Sequence, residues 1–490
     1  MGVPDMWRVL LPASQMRTLT QVAVTEGFEQ PHRPERCLRL GVDASIWMNQ
    51  AQLAIRKGKG TRGGENPAVR ILFNRLCRLL TLPIIPIFVF DGPARPSKKQ
   101  GVNVNHAKPH WLTPSFQKFV EAFGFFHHTA PSEAEAELAE LDMRNHVDAI
   151  LSEDSDALVF GAQHVIRMKN YKNVGDQVTI FKAEDIAKHP LVQLNRSGLF
   201  LVAILCGGDY NQGGLNGCGE VIARRLAQTD LAESLYAAAT CSQARSALRR
   251  LLPGWRESLR TLLRENPGNV VGKKYPQVAD ALTDDFPPID ILTLYATPLT
   301  SWTATHITAP NTTSWILEHP DITKIGNLCE KYFSWGSSGE IAKRFEKKLW
   351  PGVSIRAVLQ LALDPDPIAL HDIDVIAPKG ICSLHVLNIH RIKFGPLAKS
   401  MRPDVSGYTA EISTFGLLQD AIAGLGGALQ THTMETIPTK MVKTSLWIPA
   451  SILGAAMHGV VADFHRRTKS KIPVSASHPP VGHYSFHSLT

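Results

Sequence analysis

Three short, nearly continuous apolar runs stand out in the first 155 positions, and each runs into aspartate. Cys37 to Val42 leads into Asp43, Pro83 to Phe90 into Asp91, and Val147 to Leu151 into Asp154 and Asp156. Strands buried on both faces read this way, so the pattern predicts a buried parallel sheet. Between them, apolar positions recur at helical spacing over Val69 to Leu80, Ser115 to Phe123 and Ser132 to Arg144. Alternating strands and helices predict an α/β fold with a mostly parallel central sheet flanked by helices. The chain then reads as mostly helical to about Trp350. Asp364-Pro365-Asp366-Pro367 disfavours continued helix and reads as a linker. Beyond it, Asp374 to Phe394 and Tyr408 to Phe415 read as strands, and Trp447-Ile448-Pro449 opens a last helix over Ala450 to Arg467. The tail after Lys471 is rich in Ser, His and Pro and reads as loosely ordered.

Composition narrows the class. A chain of 490 residues, 44% hydrophobic and 20% charged, can build two or three domains with proper cores. It has no apolar run long enough for a bilayer, and its start shows no basic region followed by an apolar one, so neither a membrane span nor a signal peptide is expected. Met6 stands where a myristoylated N-terminus would need Ser or Thr. Seven scattered cysteines with no C-x-x-C pair suggest neither a disulfide framework nor a zinc site, and fit a reducing compartment. The net charge of +8 and pI near 9.1 favour phosphate backbones as partners, though weakly by themselves.

Acids are the candidate chemistry. In an open α/β sheet, sites form beyond the carboxyl ends of the strands, so separate segments would deliver Asp43, Asp91, Asp154 and Asp156 to one edge. Taken singly, each is an ordinary turn residue or helix cap. Ala130-Pro131-Ser132-Glu133-Ala134-Glu135-Ala136-Glu137 is the most informative run. Ser132 and Glu135 have the spacing of a capping box, which is the simpler reading of that segment alone. Ser152-Glu153-Asp154-Ser155-Asp156 is a second acidic cluster, and Cys206-Gly207-Gly208-Asp209-Tyr210 follows an apolar helix over Leu199 to Leu205.

G-V-D-A-S at Asp43, F-D-G at Asp91, A-P-S-E-A-E-A, E-D-S-D-A-L-V-F-G and G-G-D-Y occur in that order. Together with Met1-Gly2-Val3 and Trp7, they resemble the motifs of the XPG/flap-endonuclease family of structure-selective nucleases over roughly residues 1 to 350. By that resemblance the metal-binding carboxylates fall on Asp43, Asp91, Glu133, Glu135, Asp154, Asp156 and Asp209, and none is replaced. Glu137 and Glu153 are further acids not assigned to metal. Seven clustered carboxylates repel, and hard divalent cations with oxygen ligands relieve that repulsion. The resemblance implies two Mg²⁺ ions, for which Mn²⁺ can substitute, and phosphodiester hydrolysis to 5′-phosphate and 3′-hydroxyl ends. It places a catalytic lysine at Lys98, with neighbouring Lys99 as competitor. A further basic position has no clean match, since Asn105 sits near its spacing and Lys108 beyond it. Gly213 to Arg225 resembles the family's helix–two-turn–helix, which grips duplex backbone and binds K⁺. Gly2, Gly214, Gly217, Gly219, Arg224 and Arg225 are the candidate DNA contacts, while Asn216 and Cys218 replace residues usually hydrophobic there. Such contacts carry no base-sequence information, so selectivity should be for DNA shape.

Only 41 positions separate Asp91 from the Glu133 region, which leaves no room for the helical cap of flap endonucleases. Neither is there a C-terminal sliding-clamp motif. The short segment is most like that of the GEN/Yen-type Holliday junction resolvases. The implied layout is residues 1–95 and 115–206 as two parts of the nuclease core, 96–114 as a shortened arch, and 207–365 as the helix–two-turn–helix region with the helical completion of the nuclease. Phe286-Pro287-Pro288 through Tyr295 falls in that completion. Residues 366–470 resemble a chromodomain, and 471–490 form a tail. The expectation is a nuclear enzyme that resolves four-way junctions by paired nicks as a homodimer, is otherwise monomeric, and also cuts 5′ flaps. A flap or bubble nuclease, a catalytically silent junction-binding protein and an RNase are the alternatives.

Overall fold

The computed structural model describes residues 2–56, 65–96, 109–168, 176–363, 386–394, 405–426 and 443–469, with the backbone of 98–99 and 102–103. Its centre is a seven-stranded sheet made of β1 (Gln15–Thr18), β2 (Leu38–Asp43), β3 (Ile84–Phe90), β4 (Phe126–Thr129), β5 (Ala149–Leu151), β6 (His164–Arg167) and β7 (Gln177–Lys182), in the order β1-β7-β6-β5-β2-β3-β4. Strands β6, β5, β2, β3 and β4 run parallel, while β7 and β1 close one edge antiparallel. The fold class read from the apolar runs is therefore the observed one.

Strands β2 and β3 are buried along their whole length, as their continuous apolar sequence requires. One face packs beneath Leu138, Phe160, Phe200 and their neighbours. The other packs beneath Trp47, Phe116 and Phe73. Phe73 meets Phe119, Phe123, Phe333 and Trp335 edge-on at 5.7–5.9 Å, contacts that each add about 0.5–1.5 kcal/mol beyond area burial. Helices Pro67–Leu79, Thr113–Ala122 and Ala134–Met143 lie close to the expected bounds.

Two local expectations are corrected. Ser132 does not cap the helix that follows. Its hydroxyl donates to the Ala94 carbonyl at 3.1 Å, Glu133 is the N-cap without a side-chain bond, and the first-turn amide of Ala134 donates to Asp91 Oδ1 at 3.0 Å. A carboxylate from the neighbouring strand has replaced the local hydroxyl. Phe415 opens the helix Phe415–Ala423 instead of ending a strand.

The C-terminal part forms an antiparallel sheet of β8 (Val386–Phe394), β9 (Ser406–Ser413) and β10 (Lys443–Pro449). Helices Ala450–Ala456 and His458–Lys469 follow it, broken at Met457 where one helix was expected. This part is not a free appendage. Leu417, Leu418 and Ala421 join the apolar cluster of Ile322, Ile325 and Phe333, and the Thr323 hydroxyl donates to the Asp420 carbonyl at 3.1 Å. The expected linker at Asp364 to Pro367, the strand before Val386 and the tail lie outside the described residues.

Candidate active site

Four adjacent parallel strands deliver acids to one edge of the sheet. Asp43 ends β2 and caps the helix Ala44–Ala54, where its Oδ1 accepts from the Ile46 amide at 3.0 Å. A cap of this kind is worth about 1 kcal/mol. Asp91 follows β3. Glu133 and Glu135 begin the helix after β4, and Asp154 and Asp156 follow β5. Asp209 comes from elsewhere, in the loop after the apolar helix Arg196–Cys206. All seven sequence-expected carboxylates thus lie on this edge or in the loop beside it. Six of them are buried, and Asp91 is 22% exposed.

Carboxylate oxygens of Glu135, Asp154 and Asp209 lie within 4.8 Å of one another. Two unit charges at that separation repel by roughly 3 kcal/mol even at an effective dielectric of about 20. Asp43 registers the same crowding. Burial pushes its carboxyl well above the ordinary range, and the charges of Glu135, Asp91 and Asp154 push it further. Such a set of buried oxygen donors suits hard divalent cations, which would convert mutual repulsion into shared attraction.

The sign of the Asp43 shift gives a test. A raised carboxyl pKa means the metal-free fold holds its proton more tightly than the unfolded chain. The stability from this proton is present in acid and lost as pH rises from about the ordinary 3.8 through the raised value. In EDTA, the Tm of the wild type relative to Asp43→Asn, which keeps the cap acceptor, should therefore fall over that range. Mg²⁺ should restore it. A Tm difference independent of pH would remove this account of the site.

Further groups hold the acids in place. Val3 N donates to Asp156 Oδ1 and Ser155 Oγ, both at 3.0 Å. The Gly2 backbone has φ 81°, and a side chain there would stand 2.3–2.5 Å from Asp154, Ser155 and Asp156. Only glycine lets the chain pass so close to the carboxylates. Trp7 Nε1 donates to the Glu153 carbonyl at 3.2 Å, which ties the N-terminal segment to the same turn. Tyr295 donates to Asp156 Oδ2 at 3.3 Å, and Tyr210 donates to Glu133 Oε2. Burial, then the charges of Asp156, Asp209 and Asp154, keep the Tyr295 phenol protonated. Ser152 Oγ donates to Asp43 Oδ2 at 3.3 Å.

The roles of Tyr210, Tyr295 and Ser152 are not legible in the sequence, because nothing local marks a side chain whose partner lies 77 to 139 residues away. Nor is that of Arg95. Its guanidinium sits 3.4 Å from Asp91 Oδ2 and donates through Nε to the Gly92 carbonyl at 3.0 Å. The two extra acids have partners of their own. Glu153 pairs with Arg167 at 3.1 Å, and Glu137 lies 2.9 Å from His128 Nε2.

Residues 98–99 form a short antiparallel ribbon with 102–103, while the side chains of Lys98 and Lys99 lie outside the described residues, as do Asn105 and Lys108. In the glycine-rich loop, Gly214 and Gly217 adopt positive φ, and Gly219 is the N-cap of the short helix Glu220–Leu226. Arg224 donates to the Leu191 carbonyl, and Arg225 donates to the Val271 carbonyl at 2.7 Å. Both arginines are half-buried and brace neighbouring segments.

Comparison with known proteins accounts for this arrangement. The XPG N-terminal domain matches residues 1–108, and the XPG I-region matches residues 124–209. Between them these two regions contain all seven carboxylates. The chain carries the XPG N-terminal domain and the XPG I-region and is homologous to the GEN flap endonucleases. It is 28% identical over 254 residues to Flap endonuclease GEN homolog 1 of Mus musculus, covering 48% of this chain and 26% of that protein. It is 30% identical over 253 residues to Flap endonuclease GEN-like 1 of Arabidopsis thaliana, covering 46% and 38%. The matched region thus spans about a quarter to two fifths of those relatives. A solved Holliday junction-resolving enzyme GEN1, in complex with product DNA and Mg²⁺, superposes with a TM-score of 0.71 at 26% identity. The superposition covers 96% of this chain and all of that one.

Proposed function

We propose that the chain is a Mg²⁺-dependent, structure-selective endodeoxyribonuclease that resolves four-way junctions by paired symmetric nicks and also cuts 5′ flaps. The observation that carries this reading is the edge of buried carboxylates, with oxygens of Glu135, Asp154 and Asp209 within 4.8 Å of one another.

The donor set fits two Mg²⁺ ions, or Mn²⁺ in their place, held by Asp43, Asp91, Glu133, Glu135, Asp154, Asp156 and Asp209. When bound, such ions lower the pKa of a water and stabilise the attacking and leaving oxygens. The chain's own part is positional. Tyr295, Tyr210, Ser152 and the Val3 amide fix carboxylates before substrate arrives, so little reorganisation accompanies the reaction. Lys98, carried on the ribbon just beyond Asp91, would contact the scissile phosphate. The exposed backbone of Gly213, Gly217 and Gly219 would meet the duplex backbone, with K⁺ beside it, and Gly2, Gly214, Arg224 and Arg225 would lie along the same path.

Two nicks need two active sites, so a second copy would join on the junction, and the protein would otherwise act as a monomer. The three-stranded C-terminal sheet with its closing helices would serve as a chromodomain-like support for DNA binding in the nucleus. Among the described residues no helix is long and apolar enough to cross a membrane.

The deciding experiment offers synthetic four-way junctions, 5′ flaps and forks of equal arm length in Mg²⁺ or EDTA. Paired symmetric nicks with 5′-phosphate ends, abolished by EDTA, are expected. Flap cutting without junction cleavage would replace this reading with a flap nuclease. Binding without any cleavage would replace it with a junction-binding protein.

A further inference from the structure

Eight of the nine tryptophans are buried or half-buried, and Trp111 is not. It is 58% exposed, although a large apolar ring gains most by leaving water. Nor is it a loose side chain on a loop. Its ring stacks on that of His110, with centroids 5.9 Å apart and planes 27° apart.

His110 is itself fixed on both sides. Its Nδ1 accepts from the Leu112 amide at 3.2 Å, so Nε2 carries the proton and donates to Gln52 Oε1 at 3.0 Å. Leu112 is fully buried and seats the following helix, Thr113–Ala122. Gln52 belongs to the helix that Asp43 caps, nine residues along, or about 13 Å at 1.5 Å per residue. The Asp91 charge acts on His110 and opposes the downward push of burial on the imidazole. Trp111 therefore stands as a rigid, water-facing aromatic plate at the rim of the carboxylate edge. Leu53, next to Gln52, is also exposed.

We propose that Trp111 is a stacking platform for an unpaired nucleobase of branched DNA, placed within a few nucleotides of the bond that is cut. Every base has a π-face, so such a platform is indifferent to sequence yet selects for an unstacked base. An intact duplex keeps its bases stacked on one another and offers no free face. The plate would thus contribute shape selectivity in addition to that of the backbone contacts. This inference rests on the nuclease reading above and adds to it the part of the substrate that the rim recognises.

The test uses 2-aminopurine at the unpaired or branch-adjacent nucleotide, because its fluorescence is quenched when it stacks. Binding is followed in an Asp154→Asn background, so that the substrate stays intact. Quenching is expected with Trp111 present, largely kept in Trp111→Phe, and lost in Trp111→Ala. In the otherwise wild-type enzyme, Trp111→Ala should lower kcat/KM on junctions and flaps about tenfold, within the roughly 5- to 150-fold range of base–aromatic stacking. Affinity for unbranched duplex and the Tm should not change.

Unaltered quenching and cleavage in Trp111→Ala would overturn the proposal. So would a Trp111→Ala protein that binds and quenches normally but no longer assembles two copies on a junction, since that would make Trp111 a protein–protein contact. If the wild type cuts no branched DNA at all, the nuclease reading fails on that result, while the quenching comparison still reports separately whether Trp111 stacks on a base.

Discussion

Asp154→Asn should lower cleavage of junctions and flaps by about a thousandfold or more while leaving DNA affinity within about twofold. The side chain is fully buried, its oxygens lie among those of Glu135 and Asp209, and the substitution keeps its shape. Asn can still accept the Asp156 amide, which now donates to Asp154 Oδ1 at 3.1 Å, so the turn after β5 should hold. What is lost is one negative charge in the group proposed to bind the cations. Transition-state stabilisation by metal is worth several kcal/mol, and each 1.4 kcal/mol is tenfold in rate.

The same change should raise the Tm of the metal-free protein, because it removes one member of a set of repelling charges. Single-turnover cleavage, equilibrium DNA binding and thermal unfolding in EDTA measure the three arms. Loss of DNA binding together with cleavage would show that the carboxylate serves the fold or the DNA grip and not the reaction.

Glu137→Ala should destabilise the fold by about 3–5 kcal/mol, with any loss of activity following from unfolding. Glu137 has no exposure at all. One of its oxygens lies 2.9 Å from His128 Nε2, and the other accepts from the Ser301 amide at 2.8 Å. This one side chain therefore ties the helix Ala134–Met143 to the edge strand β4 and to the segment after Tyr295. Alanine would leave the buried Ser301 amide without its acceptor and the half-buried His128 imidazole with Ser301 Oγ at 3.2 Å in place of a carboxylate. Gln keeps a carbonyl acceptor and the same length, so Glu137→Gln should cost about 1 kcal/mol. Urea unfolding of the two variants separates the cases. Equal and small losses would mean that the tie carries no stability.

Glu137 shows why the acidic run was only partly legible. From Glu133 to Glu137 three glutamates alternate with alanine, and composition does not distinguish them. Order relative to the other motifs assigned the first two to metal and left the third aside. The structure adds the reason. Glu135 turns toward Asp154 and Asp209, whereas Glu137, two residues on, faces His128 and Ser301. Ser132 was misread because a capping box is a local pattern, while the acceptor that satisfies Ala134 is Asp91, 43 residues earlier. The edge strands β1 and β4, and the strands β7 and β6 next in from β1, went unnoticed for a related reason. They mix polar with apolar residues, as at His127 and His128 in β4, so no continuous apolar run marks them.

By itself, the amino-acid sequence determined the central parallel strands, the helices between them and the aspartates at the ends of β2, β3 and β5. Burial on both faces leaves a continuous apolar signal, and a carboxylate at a strand's end can be read without knowing its neighbours. Tertiary structure decided everything that depends on distance across the chain. It brought Asp209 from a distant loop to Glu135 and Asp154. It set Tyr295 and Tyr210 as clamps on carboxylates, and drew the N-terminal residues Gly2 and Val3 against Asp154 and Asp156. It also turned Arg224 and Arg225 toward backbone carbonyls, and left Trp111 facing water at the rim. Those are contacts between residues far apart in sequence, and local pattern carries no information about which side chain will meet which.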